Sequence, residues 1–135
     1  MQALLDSAPR LYSLAFESSP TSVLPPCQYT STSLRRLDLH GFDKSCRQYF
    51  SYDRKQCMKL IRSPLGIQCR VLFIEVEAPQ SINDLINSMI NLRTLHVWYE
   101  YDRRSNKYDF LEMLQDYLPS WTVTRFCYGY FIIQS

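Results

Sequence analysis

Leu92-Arg93-Thr94-Leu95-His96-Val97 follows Cys69-Arg70-Val71-Leu72-Phe73-Ile74 at a distance of 23 residues. Both segments carry apolar residues at positions one, four and six. The same pattern stands earlier in Leu34-Arg35-Arg36-Leu37-Asp38-Leu39 and in Leu11-Tyr12-Ser13-Leu14-Ala15-Phe16. The central anchors Leu14, Leu37, Leu72 and Leu95 are separated by 23, 35 and 23 residues. Positions four and six alternate as a strand with one buried face requires. Position one opens the turn into that strand. A weaker match, Trp121-Thr122-Val123-Thr124-Arg125-Phe126, follows 29 residues later and sets Thr124 at the central position.

Between these strands the chain must return, and helices are available for it. Tyr52 to Ile61 carries Cys57, Met58, Leu60 and Ile61 on one face. Ile82, Leu85, Ile86 and Met89 recur at helical spacing, with Ser81 as the expected cap. Tyr108 to Leu118 repeats the pattern before Pro119, and Pro9 and Pro64 are expected to stop helices ahead of their strands. The 35-residue gap implies an insertion, placed at Phe42–Arg54. Ser18 to Ser33, rich in Pro, Ser and Thr, is expected to be an irregular return.

A repeating unit of roughly 20–29 residues is the leucine-rich-repeat range. Ser33-Leu34-Arg35-Arg36-Leu37-Asp38-Leu39 and Ile90-Asn91-Leu92-Arg93-Thr94-Leu95-His96-Val97 resemble the repeats of F-box leucine-rich-repeat proteins, and so does the closing Leu118-Pro119-Ser120-Trp121-Thr122-Val123. The resemblance covers Leu4 to about Phe126. It implies a single α/β domain over residues 1–135, a short solenoid with parallel strands on its concave face and helices and irregular returns on its convex face. The repeats centre on 11–16, 34–39, 69–74 and 92–97, with a closing unit at about 107–135. An asparagine ladder is not expected, because the positions three residues past the last strand apolar are Ser19, Phe42, Glu77 and Glu100. An F-box has no room in this chain, so the resemblance implies substrate selection for a ubiquitin ligase only in a longer parent.

Charge is unevenly spread within a net +2. From Leu34 to Arg70 there are nine Lys or Arg against three Asp; from Glu75 to Asp116 there are four basic residues against eight acidic. The 34–70 region interleaves its basic residues with Tyr49, Phe50 and Tyr52, a composition that can bind nucleic acid. The acidic half opposes a long polyanion, so nucleic-acid binding is a weaker alternative. A repeat fragment with no partner of its own is another.

Five cysteines lie at irregular spacing without a C-x-x-C pair, and the opening Met1-Gln2-Ala3-Leu4-Leu5 lacks a secretory pattern. Free buried thiols and a cytoplasmic or nuclear location are the expectation. With only His40 and His96 as histidine bases, and with neither a G-x-S-x-G nor a phosphate loop, we expect no catalytic residue, no cofactor and no metal site.

The alternation makes one positive claim about function. If Leu37, Leu72 and Leu95 point inward, then Arg36, Asp38 and His40, Phe73 and Glu75, and His96 and Trp98 point outward on the concave face. Exposed aromatics with a charged rim suit a protein partner. The competing expectation is that Tyr128-Gly129-Tyr130-Phe131 folds over these aromatics. The chain itself is expected to be a monomer or a fragment of a longer chain.

Overall fold

Leu14, Leu37, Leu72 and Leu95 lie side by side on four neighbouring strands. The computed structural model describes residues 2–7, 10–15, 30–39, 51–99, 107–127 and 129–135. The strands are β1 (Ser13–Ala15), β2 (Arg36–Asp38), β3 (Val71–Glu75) and β4 (Thr94–Trp98), all parallel and adjacent in sequence order. Leu37, Leu72 and Leu95 are buried. Leu14, also expected to be buried, is only half-buried, because β1 lies at the edge of the sheet and its core-facing side has a neighbour on one flank only.

The closing unit corrects the expectation of parallel strands throughout. It forms β5 (Thr122–Cys127) and β6 (Tyr130–Gln134), and the sheet order is β1-β2-β3-β4-β6-β5. β6 is antiparallel to both of its neighbours. The turn between β5 and β6 is too short for a parallel crossover, so the two must form a hairpin. Gly129 supplies the positive φ of 74° that this turn uses, and its missing Cβ leaves room for the Tyr99 carbonyl oxygen 3.0 Å from where that atom would stand. The sheet is therefore mixed, four parallel strands plus an antiparallel pair.

The phase of β5 also differs from the weak fifth match. Val123 pairs with Ile133 and packs on the core, whereas Thr124 pairs with Ile132 and is exposed. A slip of one residue exchanges the faces of a strand. The weak match was out of phase by that one residue.

Helices cover the face of the sheet that holds the leucines. Helix α1 (Gln2–Asp6) precedes β1. Helix α2 (Arg54–Arg62) begins two residues later than its apolar pattern predicts, because Asp53 caps it reciprocally with Gln56. Tyr52 instead adds a parallel bridge beside Val76. Helix α3 (Pro64–Gln68) follows at once. Pro64, expected to end helical structure, opens this helix after the Ser63 cap, where a proline lacks no needed N–H. Helix α4 (Pro79–Ser88) likewise starts on a proline, with Ala78 rather than Ser81 at the cap; Ser81 lies buried within the first turn. Helix α5 (Lys107–Tyr117) ends just before Pro119, as its pattern predicts.

Cys57, Leu60, Ile82, Leu85 and Leu114 from these helices join Ile74, Val97, Phe131 and Ile133 from the sheet in one core. An exposed guanidinium, Arg54, ties α2 to α4 through Asp84 at 2.8 Å.

A polar side-chain ladder does exist, at the opposite end of the strands from the usual asparagine position. Ser33 Oγ donates to the Leu11 carbonyl at 2.7 Å, Gln68 Nε2 to the Leu34 carbonyl at 2.9 Å and Asn91 Nδ2 to the Ile67 carbonyl at 2.7 Å. Each residue sits just before position one of its own segment; Ser33 and Gln68 reach back to position one of the preceding segment, and Asn91 to a carbonyl two residues ahead of it.

Candidate protein-binding surface

The face of the sheet opposite the helices is built from alternate residues of every strand. One register row runs Arg36, Val71, Thr94, Gln134; the next runs Asp38, Phe73, His96, Ile132; a third runs Glu75, Trp98, Tyr130. Arg36, Asp38, Phe73, Glu75, His96 and Trp98 thus share one face, as the alternation predicts. His40 lies outside the described residues, as do residues 42–50 of the expected insertion.

Strand pairing sets the aromatic side chains close enough to stack. The Phe73 and His96 rings stack nearly parallel, at 5° with centroids 4.1 Å apart. Trp98 and Tyr130 are stacked at 4° and 4.3 Å. The two pairs adjoin, Phe73 to Trp98 at 6.3 Å and His96 to Tyr130 at 6.0 Å. At one end the Arg36 guanidinium stands 4.6 Å from the Phe73 ring centroid. This cation–π contact holds a charged group at the rim of the aromatic slab. All four rings are half-buried.

His96 also bonds through its edge. Its Nδ1 lies 2.6 Å from Tyr130 Oη, the direction of the bond being set by the imidazole tautomer. Burial lowers the His96 pKa from its ordinary 6.5, and the positive charge of Arg36 lowers it further, while Asp38 pulls the other way. The neutral ring is therefore the favoured form near neutrality.

Tyr130 was absent from the expected set. The competing expectation set Tyr130-Phe131 over the aromatics; the segment lies beside them, as part of β6, with Phe131 buried and Tyr130 extending the slab. Apolar residues at every position from Tyr130 to Ile133 hid the alternation. Only pairing with β4 reveals that Tyr130 and Ile132 face outward.

The surface is suited to apolar contact within a charged rim. Among the described residues no cluster of three or more His, Cys, Asp or Glu side chains could hold a metal ion. Cys57 and Cys69 are buried free thiols with pKa values pushed up, chiefly by burial, to about 11 and about 12. No helix among the described residues is long and apolar enough to cross a membrane. No protein-family model, curated protein or solved structure matches this chain.

Proposed function

We propose that this chain is a short leucine-rich-repeat solenoid that recognises another protein through the open face of its sheet, without catalysis of its own. The observation that carries the reading is the aromatic slab of Phe73, His96, Trp98 and Tyr130, flanked by Arg36 and running across three strands. Stacking orders these side chains before a partner arrives, so little rotamer entropy remains to be lost on binding. The repeat reading is supported by the alignment of Leu14, Leu37, Leu72 and Leu95 across four parallel strands. The resemblance to F-box leucine-rich-repeat proteins extends the proposal: in a longer parent carrying an F-box, this face would select the substrate.

The test is quantitative affinity purification with the parent chain, Trp98→Ala and the control Lys55→Ala on exposed α2, followed by binding of purified candidates. Trp98→Ala should weaken direct binding by about 2 kcal/mol or more while Lys55→Ala leaves it unchanged. Circular dichroism checks that both variants fold, and Phe73→Ser serves if Trp98→Ala does not. Equal binding by the parent and a folded slab variant overturns the proposal.

A further inference from the structure

Position two of successive segments is occupied by Tyr12, Arg35, Arg70 and Arg93. Backbone bonds bring these residues into one line. Arg35 N and Arg36 N both donate to the Tyr12 carbonyl, Arg70 N and Val71 N to that of Arg35, and Arg93 N and Thr94 N to that of Arg70. Three arginines therefore stand on consecutive strands at the edge where the strands begin, spaced by about 4.8 Å.

Two of the three guanidinium groups, those of Arg35 and Arg93, are held at that edge in the same way. Arg35 Nη1 donates to the Leu34 carbonyl at 2.9 Å, and Arg93 Nη1 to the equivalent Leu92 carbonyl at 3.1 Å. Arg70, between them, is exposed, and its side chain makes no hydrogen bond among the described residues. None of the three forms an ion pair with a described carboxylate. Like charges on adjacent strands repel, so the row has a standing demand for negative charge that the described part of the chain does not meet. A guanidinium meets carboxylate oxygens in a two-pronged fork, and each of these retains donors beyond those bonded to backbone.

We propose that Arg35, Arg70 and Arg93 form an anion-binding edge that takes a carboxylate-rich segment of a protein partner. This rests on the protein-recognition reading above and names the chemistry of the partner. The row joins the open face through Arg36, so one partner can cross the strand-entry edge with an acidic segment and set an apolar group on the aromatic slab. The segment must be short, because the acidic half of this chain, from Glu75 to Asp116, repels an extended polyanion.

The probe is fluorescein-labelled octaglutamate, followed by anisotropy at about 50 mM and about 200 mM salt, with labelled oligouridylate in parallel. The full chain should bind octaglutamate at the lower salt and lose affinity at the higher. Arg35→Gln/Arg70→Gln/Arg93→Gln should weaken it by about tenfold or more. Arg70→Glu, which disturbs no backbone bond, should weaken it clearly by itself. Lys55→Gln/Lys59→Gln on α2 should bind as the parent does. Trp98→Ala should also bind octaglutamate as the parent does, so loss of the slab reading and loss of the arginine row are separately visible. Undiminished binding by both arginine variants overturns the proposal, as does equal loss in the α2 control. Tighter binding of oligouridylate than of octaglutamate overturns it in favour of nucleic acid.

Discussion

His96 Nδ1 and Tyr130 Oη lie 2.6 Å apart, and this contact joins the last parallel strand to the antiparallel strand beside it. It fixes the edge of the imidazole while Phe73 stacks on its face at 4.1 Å. Protonation would bring a positive charge into this half-buried stack, near Arg36.

Stability should therefore depend on pH through His96. Its folded pKa is lowered from 6.5, so between that lowered value and 6.5 the unfolded chain binds more protons. The stabilising contribution is fully present above pH 6.5 and is lost as pH falls through the folded pKa. Urea midpoints measured across this range should fall toward acid more steeply in the parent than in His96→Gln. Identical profiles would show that His96 does not titrate with folding.

Leu95 and Leu14 occupy equivalent positions with different burial, which gives a paired prediction. Leu95→Ala should cost about 2–5 kcal/mol, as for other fully buried leucines. Leu14→Ala on the edge strand should cost less than half as much. Chemical denaturation of both variants measures the difference.

Gly66→Ala should destabilise the α2–α3 junction by about 2 kcal/mol or more. A Cβ there would stand 1.8 Å from the Leu60 carbonyl oxygen, in backbone that cannot swing aside. The same corner is held by Ser63, whose Oγ donates to the Leu60 carbonyl at 2.6 Å and accepts from the Gly66 N–H at 3.0 Å. Ile67→Ala, one residue on and half-exposed, should leave the thermal midpoint nearly unchanged.

Cys57 and Cys69 should resist alkylation in the folded protein. Their pKa values of about 11 and about 12 leave almost no thiolate at neutral pH, and both side chains are buried. Peptide mass mapping after brief iodoacetamide treatment should find both unmodified, and both fully modified once urea is added. Rapid native labelling of either would contradict its burial.

The parallel part of the sheet was legible because a leucine every 23 or 35 residues recurs with the same alternation around it. That periodicity marks both the core face and the open face, so Phe73, His96 and Trp98 could be named from it. Tyr130 could not, since Tyr130-Phe131-Ile132-Ile133 is apolar on both faces and only its neighbour strand breaks the symmetry. Helix starts are harder to read for a local reason: Pro64 reads as a stop from the sequence, yet proline at the first helical position begins a helix equally well, as Pro64 and Pro79 both do. The reach-back ladder leaves no sequence signature because its donors differ in type, Ser33, Gln68 and Asn91. The arginine of position two was in plain view in Leu34-Arg35, Cys69-Arg70 and Leu92-Arg93.

The direction of β5 has a consequence for how this sheet can change. β5 is antiparallel to β6, and β6 to β4, so β5 runs the same way as β1–β4. β6 acts as a wedge between two strands that share a direction, and its Ile133 links Leu95 to Val123 across the inner layer. Removing residues 129–135 would open a vacancy one strand wide next to β4, flanked by a strand already pointing the right way to fill it. The seven residues 129–135 thus hold β5 one strand away from β4 while leaving the two parallel.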